Sequence, residues 1–276
     1  MKSWWMGVIA LFGLAIIYPA SSSAQEKKLL TTKGWGSLEG KVVLVGQVPA
    51  LTDLKPKMMQ HADSACCLAG KPGEKIEQTW VVDPKTNGVG NVFVYLKADV
   101  GTYFPIHPKE KSRSKPAEID QPNCAFVPHV VAHFPSFYDG KETVATGEKF
   151  IVKNSASVTH NARGIGDPLK NPGFNINLPA GKSLAVDLKP QRLPLMLQCD
   201  IHPWMNGKIM VFDHPYFAVT KPDGTFSIPN VPAGAEISIM AWHEGVGYVL
   251  GKDGKKVNLT EGRNTFNAEI KAPTGN

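Results

Sequence analysis

Short stretches of alternating polar and apolar residues, cut apart by glycine and proline, leave this chain little choice but β structure. In "GNVFVYLKAD" (90–99), Val92, Val94 and Leu96 alternate with Phe93 and Tyr95. A period of two places alternate side chains on opposite faces of a strand. The same pattern runs through 36–46, 148–154, 174–178, 183–188, 193–199, 207–212, 225–229, 236–242 and 264–270. Turn signals such as Pro222-Asp223-Gly224 and Pro232-Ala233-Gly234 separate these runs, because both residue types interrupt regular ladders. One short helix is predicted near 54–62, and nothing else is helical in pattern. The expectation is an all-β protein of two β-sandwiches, which 276 residues can accommodate as two modest domains.

Residues 1–24 predict export. Lys2 precedes an apolar run from Trp4 to Tyr18, and Ser22-Ser23-Ala24 offers a small-residue cleavage site before Gln25. The apolar run is shorter than the ~20 residues of a spanning helix, so no stable membrane span is expected after cleavage. The predicted location is periplasmic or secreted, where disulfides persist. A net charge of +6 without a patch of interleaved aromatic and basic residues gives no basis for nucleic-acid binding.

The segment "LMLQCDIHPWMNGKIMVF" (195–212) carries the chemistry. Cys199, His202 and Met205 sit three residues apart on a tight loop between two predicted strands. Upstream, "EKFIVKNSASVTHNAR" sets His160 and Asn161 after a strand and a turn. A thiolate and a thioether suit soft Cu(I), imidazole suits both oxidation states, and a His2Cys plane with an axial Met is a blue-copper arrangement. Structural zinc uses repeated thiolates and histidines instead.

Over about 90 residues this combination resembles the cupredoxins, and the spacing C-x2-H-x2-M with Pro203 after the histidine is most similar to the short ligand loop of the amicyanins. The resemblance implies one mononuclear copper held by His160, Cys199, His202 and Met205. Asn161 would tie the two ligand elements together, and His202, Pro203 and Trp204 would form an apolar electron port at the surface.

A second resemblance lies in "FAVTKPDGTFSIPNVPAGAEISIMAWHE" (217–244). It is similar to the second half of carboxypeptidase-regulatory, transthyretin-like sandwiches, whose first half would lie at Gly36–Val42 and Val92–Leu96. The implied organisation is a signal at 1–24, a discontinuous sandwich at 34–100 and 215–272, and a cupredoxin domain at 101–214 inserted between its parts.

With Cys199 assigned to copper, Cys66, Cys67 and Cys124 are left. Adjacent cysteines rarely bridge each other, so Cys66 or Cys67 is expected to pair with Cys124. His129 and His133 share a strand face and could join Cys124 in a second metal site, although core packing or a surface position explains them better. His243 has no evident partner in the sequence. The chain lacks the His-x-His pairs of multicopper oxidases, the Cys-x-x-Cys-His of covalent haem and the Gly-x-Ser-x-Gly of hydrolases, so no enzyme is expected. The expected role is single-electron transport with a c-type cytochrome or a dehydrogenase as partner. The alternative is copper storage, delivery or sensing.

Overall fold

The computed structural model describes Met1 and residues 27–273; the predicted signal segment lies outside the described residues. The chain is all-β, with its apolar side chains gathered into two large cores. Among the described residues no helix is long and apolar enough to cross a membrane.

The first core is built from both ends of the chain. One sheet orders Phe217–Val219, Phe93–Lys97, Glu236–His243 and Gly247–Tyr248, with Lys255–Asn258 also paired to Glu236–His243. The facing sheet joins Thr225–Pro232, Trp35–Val45 and Gly262–Thr265, and Ala268–Lys271 continues the pairing along Trp35–Val45. Leu38, Val42 and Leu44 pack against Val94, Leu96, Ile237 and Ile239 between the sheets. Pro229 has no N–H for the ladder, and the register shifts between Ile228 and Val231, where Asn230 takes a φ of 54°; a bulge absorbs the missing donor. Gly224 closes its turn at φ +81°, and a Cβ there would lie 2.3 Å from the Val42 carbonyl oxygen, so no larger residue fits without moving backbone.

The second core lies within the middle of the chain. Its larger sheet runs Phe174–Leu178, His160–Ile165, Leu195–Gln198, Asn206–Val211 and Val130–His133, the last pair parallel. A three-stranded sheet of Ser183–Val186, Phe150–Lys153 and Ala117–Ile119 covers it. Ile119, Phe150, Val152, Leu195, Leu197 and Ile209 fill the space between.

Strand alternation joins the two bodies. Val94 and Leu96 face the first core while Phe93 turns outward, and Ile209 and Val211 face the second core while Met210 turns outward. Phe93, Val130, Met210 and Phe212 meet in a third cluster, flanked by Tyr95, Phe217 and Trp242. Phe93–Lys97 is therefore covered on both faces.

Two boundaries differ from the sequence reading. Residues 54–69, counted with the outer sandwich, form the helices Lys55–Met59 and Ser64–Ala69, and Leu54, Met58 and Cys67 pack into the second core. Phe104, placed beyond the boundary at 100, lies in the first core. Both shifts follow from where apolar side chains find cover, which a linear boundary does not record. Met210→Ala should lower stability by about 2–5 kcal/mol through the cavity it opens between the bodies. Urea unfolding checks this, and a loss below about 1 kcal/mol would show that the third cluster does not couple them.

Candidate metal centre

The two strands Leu195–Gln198 and Asn206–Val211 pair antiparallel, from Leu195 opposite Ile209 to Gln198 opposite Asn206. Their register leaves Cys199 to Met205 as a loop pinned at both ends. The Cys199 N–H donates to the Met205 carbonyl at 3.3 Å, and the Met205 N–H donates to the His202 carbonyl at 2.9 Å. Cys199, His202 and Met205 are all buried, His202 completely. The Cys199 thiol is free, and its Sγ lies 3.7 Å from Nδ1 of His202.

His160 opens the strand His160–Ile165, next to Leu195–Gln198 in the same sheet, and its ring centroid lies 4.7 Å from that of His202. Its Nδ1 is 3.1 Å from Oδ1 of Asn154. Asn154 is itself held by its Nδ2, which donates to the carbonyls of Val158 and Leu178. With Nδ1–H donated to Asn154, the lone pair of His160 is on Nε2. That atom is buried and has no hydrogen-bond partner among the described residues. An orphaned buried imidazole nitrogen costs free energy unless something binds it. A metal ion is one such partner, and the soft donor set beside it suits copper.

Asn161 joins the two elements that carry the candidate ligands. Its Oδ1 accepts from the N–H of Asp200 at 2.6 Å, and its Nδ2 donates to Oδ1 of Asn175 at 2.8 Å. The strand that carries His160 is thereby tied to the loop that carries Cys199.

The expectation that His202 reaches the surface is corrected. His202 is 0% exposed because residues 54–69 lie over it. Its Nε2 is 3.1 Å from Oδ2 of Asp63, and the His61 ring stands 4.5 Å from its ring. Pro203 is exposed. Trp204 is half-buried, its ring 5.4 Å from His202 and its Nε1–H donated to the Cys124 carbonyl. Neither His61 nor Asp63 was identified as part of this site in the sequence, where 139 residues separate Asp63 from His202.

Cys67 and Cys124 form a disulfide, and Cys66 keeps a free thiol. The second metal site at Cys124, His129 and His133 does not form, because each group has its own partner. Cys124 is bridged, Nε2 of His129 contacts Glu244, and Nδ1 of His133 lies 2.8 Å from Glu148. His243 is fully buried with its ring 4.3 Å from that of Trp80.

Burial dominates the protonation of these rings. Desolvation pushes His160 down to about 4, aided by the charge of His202 and opposed by Asp63. His202 is lowered by burial and by His61, again against Asp63. Desolvation also lowers His243 to about 4, opposed chiefly by Glu244. Neutral imidazoles present the lone pairs that ligation requires.

No protein-family model matches the sequence, and no curated protein matches it. Among solved structures, the chain is similar to a Cu-containing nitrite reductase from Thermus scotoductus at 19% identity and a TM-score of 0.28. That match covers 35% of this chain and 22% of the reductase, so the chain spans about a fifth of that protein. A purple cupredoxin from Nitrosopumilus maritimus matches at 19% identity and a TM-score of 0.27, over 35% of this chain and 99% of that one. A reduced amicyanin mutant matches at 12% identity and a TM-score of 0.29, over 43% of this chain and 98% of that one.

The buried rings predict an acid-labile metal-free protein. An unfolded histidine titrates near 6.5, so between pH 6.5 and about 4 the unfolded chain binds protons that folded His160 and His243 refuse. Stability should fall as pH drops through that window, by up to about 1.4 kcal/mol per pH unit for each histidine. Denaturant titrations across the window should show a shallower slope for His243→Phe; an unchanged slope would contradict this origin.

Proposed function

We propose that the chain is an exported mononuclear copper protein that carries single electrons between redox proteins. The observation that supports this most is a free, buried thiol 3.7 Å from the Nδ1 of a buried histidine, with a second buried imidazole close by whose Nε2 lacks a partner. Cys199, His160, His202 and Met205 would hold the copper. Copper bound there would supply one-electron Cu(I)/Cu(II) exchange.

The residues around the site hold it still. Asn154 orients His160, Asn161 clamps the loop to the neighbouring strand, and paired strands fix both loop ends. Ligands that keep their places on a change of oxidation state keep the reorganisation cost low. Trp204 is half-buried, with its ring 5.4 Å from that of His202, and is proposed as the exit for the electron. The partner would be a c-type cytochrome or a dehydrogenase in the periplasm or outside the cell. The paired sheets of the first core, with the turn Pro222–Gly224 and the run to Gly234, are read as a transthyretin-like scaffold without catalytic duty.

The cover over His202 favours a second reading, copper storage or delivery. Copper that stays with the protein through repeated reduction supports transport. Loss of copper to a metal-free acceptor on reduction supports delivery.

Adding Cu(II) to the mature protein should produce an intense visible absorption band that Cys199→Ser abolishes. A band of equal strength in Cys199→Ser, or none in either protein, would refute a thiolate–copper site.

A further inference from the structure

The segment over His202 is tied down at several points. Leu54 and Met58 are buried in the second core. Cys67 is bridged to Cys124, across 57 residues of sequence. The His61 Nε2–H donates to the Ile201 carbonyl at 3.1 Å, inside the ligand loop. His61 Nδ1 accepts from the Asp63 N–H at 3.1 Å, so both of its ring nitrogens are engaged. His61, Asp63 and His202 each bring a candidate ligand atom within 4.8 Å of the others. Each of those atoms already has a hydrogen-bond partner, backbone groups for His61 and each other for Asp63 and His202, so the trio is read as a hydrogen-bonded cap and not as a second metal site.

Asp63 is the unusual member. It occupies the N-cap of the helix Ser64–Ala69, yet its side chain makes no capping hydrogen bond. Aspartate at that position ordinarily accepts from the first turn of the helix. Here the carboxylate is turned to Nε2 of His202, 3.1 Å away, with 30% of the side chain exposed. We propose that Asp63 is the positioning residue of His202: it holds the Nε2 proton and so keeps Nδ1 aimed, as a lone pair, at Cys199. Carboxylates that accept the outer N–H of a ligand histidine fix its tautomer and raise its donor strength. A fixed negative charge beside the site also favours Cu(II) over Cu(I). The assignment of His202 as a ligand rests on the copper reading; the fixed tautomer does not.

The test has one arm on the metal-free protein and one on the copper-loaded protein. In the first, 15N NMR of the His202 ring should show a single tautomer with the proton on Nε2, and Asp63→Ala should give a mixture. A wild-type ring protonated on Nδ1, or the same single tautomer in Asp63→Ala, would overturn the proposal. In the second arm, a redox titration compares wild type with Asp63→Asn, which keeps the shape and loses the charge. The equilibrium should move at least tenfold toward Cu(I), a rise of about 59 mV for a one-electron couple. A potential unchanged by the substitution would remove the electrostatic role. Copper that fails to bind either protein would refute the copper reading alone, and the tautomer arm would still decide the role of Asp63. Circular dichroism on both variants guards against loss of fold.

Discussion

Burying a thiol and two imidazoles at the end of an apolar core is the constraint on which the rest of this structure depends. Each group left without a partner there costs about 1–3 kcal/mol. The chain meets that cost one atom at a time. Asn154 takes Nδ1 of His160, Asp63 takes Nε2 of His202, and Nδ1 of His202 faces Cys199. What is left over is Nε2 of His160, and with Nδ1 of His202 and the soft sulfur donors beside it that remainder is the set proposed to hold copper.

Supplying those partners needs elements from far apart in sequence. Asn154 follows the strand Phe150–Lys153, while Asp63 sits in a helical segment that precedes the first strand of the second core, Ala117–Ile119, by dozens of residues. The disulfide between Cys67 and Cys124 and the apolar anchors Leu54 and Met58 hold that segment in place. One consequence is a site more enclosed than its loop alone would suggest. Cover of this kind excludes water and strengthens local electrostatics.

Local patterns were legible in the sequence where local physics decides. Alternation revealed the strands Phe93–Lys97 and Glu236–His243, and even which residues of the first face which way. The loop from Cys199 to Met205 was legible because the two strands that bound it are neighbours in the sequence. The cover was not. A short polar and sulfur-rich stretch such as "KMMQHADSACC" has no period that says where it docks. The expectation of an exposed His202 failed for that reason: a loop's own residues do not record what a distant segment lays over it. The strand Val130–His133, parallel to Asn206–Val211, shows the same limit: its sequence does not say that Glu148 meets His133 or that Glu244 meets the preceding His129.

The most direct measurement is an anomalous-difference map at the copper edge from crystals of the copper-loaded protein. The account predicts one peak per chain, bounded by Sγ of Cys199, Nδ1 of His202 and the ring of His160. A peak between His61 and Asp63, or a loaded protein whose copper lies away from Cys199, would contradict it.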